Sequence, residues 1–598
     1  MNRLPSAIAT GLVAALLASC SKPGLETASP PPAELAAAEP AEADPAVPQA
    51  EAAADAEYAD GSSIVITGSR IARPNLESSV PITVVGGEEV YRSPSRRGRA
   101  SGHRPVVQSP GYVHVPDVGR DRFASVVQNG FKIAEQEPVS TFSIDVDTAS
   151  YSFVRASLAQ NVLPQPAAVR TEEMINYFPY DYEPPESAAE PFSSHVAVFP
   201  SPWSPGRKLV RIGIKGYAVE RETRPDANLV FLIDTSGSMA EPNKLPLVQQ
   251  SLSMLLDRLA PDDTVAIVTY AGSAGTALEP TPAREKARIR AVIDRLGAGG
   301  STAGAEGIRQ AYALAERNLD PRGVNRVILA TDGDFNVGIT DPNELKGFVE
   351  RERGKGVFLS VLGFGMGNYN DALMQTLAQN GNGAAAYIDT VAEARKTLVE
   401  EATSTLFPIA KDVKIQVEFN PAAVAEYRLV GYETRMLQRE DFDNDRVDAG
   451  EVGSGQSVTA LYEIVPVGGA RAVGELRYAP TARHRTSAPN SEYGFVKIRY
   501  KLPKASASRL ISTPIDKSAE VRRFEDAPED ARFAAGVAAF AELLRGGRYA
   551  GSMGYGDVLR LVSGAQGRDP YGYRSELVRL VRAASSAPSL QGQGAGGQ

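Results

Sequence analysis

The middle of this chain predicts an α/β fold, a doubly wound domain with a mostly parallel central sheet, and three observations predict it. Between Asn228 and Thr405 short apolar strands alternate with longer helical stretches, the pattern of a parallel sheet covered by helices on both faces. The first strand, Leu229-Val230-Phe231-Leu232-Ile233, is apolar throughout, as a strand buried on both sides must be. It runs into Asp234-Thr235-Ser236-Gly237-Ser238-Met239, so polar groups gather at the carboxyl edge, where open parallel sheets hold ligands.

The elements follow in order. Strands are predicted at 229–233, 264–270, 326–330 and 357–362, with helices at 244–259, 284–296, 305–318, 343–353 and 371–378. Ahead of them, 140–225 reads as a small α+β region, with strands at 141–147, 192–199 and 208–214 and helices at 151–158 and 170–178. Behind the predicted α/β domain at 226–406 comes a β-rich region, 407–505, with strands at 413–418, 427–430, 457–464 and 494–500. A helical region closes the fold at 506–584, with helices at 531–544, 555–563 and 574–583, before a Gly/Gln/Ser-rich tail at 585–598. The two flanks, 140–214 and 413–500, are expected to pack together as one β-rich module.

The N-terminal quarter is different. Residues 1–20 read as a signal peptide, with a positive start, an apolar run at 7–18 too short to span a bilayer comfortably, and Leu17-Ala18-Ser19-Cys20. Cys20 is the only cysteine, which excludes an intrachain disulfide or a cysteine metal cluster. Residues 21–60 are almost only Ala, Glu, Pro, Ser and Asp and read as a disordered tether. Two β-rich runs at 61–90 follow, then a loop-like linker at 91–139. With a net charge of −9 and dispersed Lys and Arg, the chain offers no broad footprint for nucleic acid.

Chemistry concentrates on three loops. Asp234, Ser236 and Ser238 alternate along one turn, so their oxygens can face one point. Gly299-Gly300-Ser301-Thr302-Ala303-Gly304 opens a helix, and Thr331-Asp332-Gly333-Asp334 leaves a strand at the same sheet edge. Ser and Asp also favour helix N-caps, which is the blander reading of the first motif alone. Together the three loops resemble the metal-ion-dependent adhesion site of the von Willebrand factor type A (VWA) family, Asp-x-Ser-x-Ser with a distant Thr and a distant Asp. The resemblance implies that Ser236, Ser238 and Thr302 touch a cation directly while Asp234 and Asp332 hold it largely through water. Hard oxygens suit Mg²⁺, with Mn²⁺ or Ca²⁺ as substitutes. An open coordination position then favours a Glu or Asp side chain from a partner protein.

Other motifs carry less. Asp145-Val146-Asp147-Thr148-Ala149 is similar to the start of phosphoaspartyl phosphatases, but Ala149 breaks the pattern, and a strand end packed against the α/β domain is the better reading. Asp441-Phe442-Asp443-Asn444-Asp445 lacks the Gly and Glu of an EF-hand, Arg446 and Val452 standing in their places, and reads as a solvated acidic turn. Gly363-Phe364-Gly365-Met366-Gly367 is a glycine-rich strand exit rather than a dinucleotide fingerprint. The four histidines, His103, His114, His195 and His484, are far apart in sequence, and Trp203 reads as a packing residue.

Family resemblances complete the reading. Leu17-Ala18-Ser19-Cys20 resembles the bacterial lipobox, which implies acylation of Cys20 and a lipid-anchored protein of the cell envelope. Ser21 after the cysteine points, by analogy with lipoprotein sorting, to the periplasmic face of the outer membrane. The runs at 63–90 resemble the start of a TonB-receptor plug, with no barrel following. Ser143-Ile144-Asp145-Val146-Asp147-Thr148-Ala149-Ser150-Tyr151-Ser152, Glu172-Glu173-Met174-Ile175-Asn176-Tyr177-Phe178 and Thr459-Ala460-Leu461-Tyr462-Glu463-Ile464 are similar to segments of a family of bacterial VWA lipoproteins. That resemblance implies architecture more than function; the complete site without a catalytic companion is what favours a membrane-anchored, metal-dependent protein-binding module and not an enzyme. The competing reading, a Mg²⁺-dependent hydrolase or an enzyme-associated chaperone subunit, needs a positioned base near Asp234, and the sequence supplies none.

Overall fold

The computed structural model describes residues 121–588 except 221–223, 301–303, 334–341, 368 and 475–490, all within one compact unit, Tyr112–Gln598. The signal peptide with Cys20, the tether, the plug-like runs, His103, His114, His484, Thr302 and residues 589–598 of the tail lie outside the described residues.

The central sheet has six strands in the order Ala385–Ile388, Val357–Phe364, Val324–Thr331, Ala227–Asp234, Thr264–Tyr270, Ala274–Pro282. All neighbours run parallel except the last pair, so this is the predicted doubly wound domain with one antiparallel edge strand. Ala227–Asp234 lies at the centre of the domain and every residue of it is buried. One face packs Val230, Leu232, Val327 and Leu359 against helices that include Gly304–Arg317 and Asp371–Asn380. The other packs Leu229, Phe231, Ile233 and Ile328 against Leu245–Leu256 and Lys286–Ile293. Alternating side chains of one strand thus serve two cores, which is why the strand reads as unbroken apolar sequence.

The flanks do combine. Val139–Ser143 pairs antiparallel with Pro408–Phe419, and Lys208–Gly216 pairs with Ser457–Pro466. One antiparallel sheet runs Lys132–Ile133, Val424–Val430, Ser457–Pro466, Lys208–Gly216, Phe192–Pro200. The second contains Gly450–Gly453, Pro408–Phe419, Glu492–Lys501 and Arg509–Asp516, with Val139–Ser143 also paired to Pro408–Phe419. Their inner faces meet in one core of Val210, Ile212, Ile415, Val417, Tyr462 and Val496, a sandwich built from both flanks of the central domain.

Ordered packing begins before the expected boundary at 140. Asp121 Oδ1 accepts the amides of Gly367 and Tyr369 at 2.9 Å each, and Ala134 is fully buried. Helix Ala149–Ala159 then acts as a strut. Phe153 and Ala156 face the central sheet, whereas Tyr151, Val154 and Leu158 join a core with the C-terminal helices Glu529–Leu544, Tyr555–Ser563 and Tyr573–Ala584. Arg155 on this strut pairs with Asp389, with Glu393 at 2.8 Å and with Glu576 at 3.2 Å, binding three regions through one guanidinium.

Candidate metal centre

The carboxyl edge of the central strand carries the site. Asp234 ends strand Ala227–Asp234, and its side chain is completely buried. Its Oδ1 accepts the Ser236 amide at 2.9 Å, and its Oδ2 accepts the hydroxyls of Tyr270 at 3.2 Å and Thr331 at 3.3 Å. The two hydroxyls come from the neighbouring strands on either side, so the sheet itself fixes this carboxylate. Burial raises the Asp234 carboxyl above its ordinary range, against the hydrogen bonds from Ser236, and the charge of Asp332 raises it further.

The chain then turns through a short 3₁₀ segment, Gly237–Ala240. Ser236 is buried and Ser238 exposed, yet their hydroxyl oxygens stand 3.1 Å apart, converging on one side of the loop. The glycine-rich turn lies where the motif requires it. Gly299 donates its amide to the Thr235 carbonyl at 2.8 Å, and Gly237 donates to the Gly300 carbonyl at 3.1 Å. Gly300, with φ +90, lets the turn close over this loop. Asp332 follows strand Val324–Thr331 and is fully buried.

Of the predicted site residues, the structure therefore brings Asp234, Ser236, Ser238 and Asp332 to one edge, and Thr302 lies outside the described residues. The donor set fits a hard divalent cation: converging hydroxyls backed by two carboxylates, one already oriented by three donors. Sequence reasoning missed Lys244, whose Nζ donates to Asp332 Oδ2 at 3.1 Å with both side chains buried. A signal existed, because Lys244 immediately precedes helix Leu245–Leu256, where the helix dipole disfavours a cation.

The chain also matches known sequence families. The von Willebrand factor type A domain model matches residues 228–401, a von Willebrand factor model matches 117–211, and the model of the YfbK C-terminal region matches 404–587. The uncharacterized protein YfbK of Escherichia coli (strain K12) is 43% identical over 484 residues, covering 80% of this chain and 83% of its own length. The chain belongs to the YfbK family of bacterial VWA proteins. Human inter-alpha-trypsin inhibitor heavy chain H4 is 31% identical over 184 residues, 29% of this YfbK-family chain and 19% of the human protein. A solved von Willebrand factor type A protein from Catenulispora acidiphila superimposes with a TM-score of 0.40 at 16% identity, over 68% of this chain and 91% of its own.

The remaining motifs resolve into structure. Asp145 and Asp147 are both held by Arg435 at 2.9 Å, and Asp147 Oδ1 accepts the Ala385 amide of the central sheet at 2.8 Å. This pair of carboxylates ties the flanking module to the VWA domain, as the packed strand-end reading expects. The 441–445 turn is solvated as expected, with Asp443, Asn444 and Asp445 exposed. Lys414 Nζ donates to the carbonyls of Asp441 and Asn444, and Arg499 pairs with Asp443 and Asp445 at the surface. His195 stacks on Tyr182, and Trp203 is buried in the helical core.

Proposed function

We propose that this chain is a membrane-anchored, divalent-metal-dependent protein-binding module, held to the cell envelope by an acylated Cys20 and capturing an acidic side chain of a partner at the VWA site. The observation that carries the reading is the convergence of Asp234, Ser236, Ser238 and Asp332 on one sheet edge, with the Ser238 end of the site open to solvent. Thr302 would complete the set from the glycine-rich turn that already docks on the Thr235 carbonyl. A Mg²⁺ bound there supplies an electrophilic point to which a Glu or Asp carboxylate can add.

Within the chain, each residue has a distinct task. Tyr270, Thr331 and the Ser236 amide hold Asp234 as a fixed acceptor, an arrangement suited to a ligand scaffold rather than to a base that must gain and lose a proton. Ser238 is exposed, and the hydroxyl of buried Ser236 stands 3.1 Å from its own. The test is isothermal titration of Mg²⁺, paired with capture of envelope proteins by wild type and Asp234→Ala in Mg²⁺ and in EDTA. The expected result is capture by wild type in Mg²⁺ alone. Capture that survives both EDTA and the substitution would overturn the reading.

A further inference from the structure

Lys244 puts a positive charge inside a site that is built to receive one. Its Nζ lies 3.1 Å from Asp332 Oδ2, and the two side chains are 5% and 0% exposed. Its stem is equally confined. Gly365, at the exit of strand Val357–Phe364 with φ +74, faces it so closely that a Cβ there would stand 2.4 Å from Lys244 Cε and 2.7 Å from Cγ. The backbone of Lys244 is fixed as well, its amide on the Glu241 carbonyl at 3.0 Å and its carbonyl accepting Val248 at 2.9 Å. The glycine-rich strand exit thus serves to make room for this side chain.

Charge counting gives the ammonium a role. Two carboxylates, Asp234 and Asp332, would neutralise a divalent cation and leave no electrostatic demand for a further anion. With Lys244 present the protein's contribution falls to one negative charge, and a bound divalent cation leaves one positive charge uncompensated. An incoming carboxylate supplies what is missing.

We propose that Lys244 is a resident counter-cation and positioning residue of this centre, which lowers its affinity for a bare divalent cation and raises its selectivity for an acidic ligand. The inference rests on the reading of this edge as a metal centre. A cation a few ångströms from a second, divalent one in a partly buried site weakens its binding by about tenfold or more.

The experiment compares the whole processed protein with Lys244→Met, which removes the charge and keeps an unbranched stem, and Lys244→Gln, which stays polar but neutral. Mg²⁺ is titrated calorimetrically into each, and acetate is then titrated into each Mg²⁺-loaded form. The expected result is Mg²⁺ binding about tenfold tighter in both variants, a larger Mg²⁺-induced rise in their unfolding midpoints, and weaker acetate binding. A purely structural role would instead loosen Mg²⁺ in the variants, since Asp332 would lose its support. Equal or tighter binding by wild type overturns the inference and leaves the metal centre standing. Binding by the variants alone supports it, and binding by none of the three removes the metal centre and the inference together.

Discussion

Glu172 shows what packing within the flanking module costs at the level of one side chain. It is 1% exposed on helix Thr171–Asn176, and neither carboxyl oxygen finds a well-formed hydrogen bond, the Tyr432 amide offering only a weak one. Burial, then the nearby charges of Glu433, Asp145 and Glu173, push its carboxyl up to about 8 from an ordinary 4.5. The folded protein therefore binds this proton more tightly than the unfolded chain. Its contribution is fully present below pH 4.5 and is lost progressively as pH rises towards 8. Glu172→Gln mimics the protonated form, so at pH 8 the variant should be more stable than wild type by on the order of 3 kcal/mol, and at pH 4.5 no more stable. Urea unfolding at the two pH values checks this, and a gain that is the same at both would exclude Glu172 as the source. Sequence could not reveal this group, because a Glu in a predicted helix reads as solvent-facing until the third dimension places Glu433 and Asp145 beside it.

Among the elements, the division of labour between local and long-range signals is visible strand by strand. Ala227–Asp234 and Thr264–Tyr270 were legible because two-sided burial writes itself as continuous apolar sequence. Ala274–Pro282 was not, since Pro280 and Pro282 read as strand breakers, yet as the sheet's antiparallel edge it tolerates both. Gly450–Gly453 is equally silent, its glycines making room for the backbones of Ile144 and Ser404, which are remote in sequence. The site divides in the same way. Asp234, Ser236 and Ser238 share one turn and announce themselves, whereas Lys244 reaches Asp332 across 88 residues of sequence. Long-range pairing also makes a prediction for the flanks. A chain ending at residue 406 leaves Val139–Ser143 without Pro408–Phe419, Lys208–Gly216 without Ser457–Pro466, and Tyr151, Val154 and Leu158 without the C-terminal helices. Such a chain should exceed the exposed apolar area a soluble monomer sustains and accumulate in the insoluble fraction, while the chain to 588 stays soluble. Equal soluble yields would mean that the flanks fold independently of each other.

For the whole molecule, the question is how a head with the proposed metal edge is held at the cell envelope. Among the described residues no helix is long and apolar enough to cross a membrane. The proposed anchorage rests on acyl chains at Cys20. Each methylene buried in a bilayer contributes about 0.8 kcal/mol, and one chain alone gives only reversible attachment, so stable anchorage calls for more than one chain on the same cysteine. The proposed anchorage takes the Ala/Glu/Pro-rich sequence after Cys20 as its spacer. Replacing the cysteine isolates this term, because no other part of the proposed anchor changes. Cys20→Ser should move the protein from the membrane pellet to the soluble fraction while leaving its calorimetric Mg²⁺ binding unaltered, and wild type should incorporate labelled palmitate where the variant does not. A variant that stays in the pellet after a carbonate wash would place the attachment in the protein itself and require a different account of the N-terminal region.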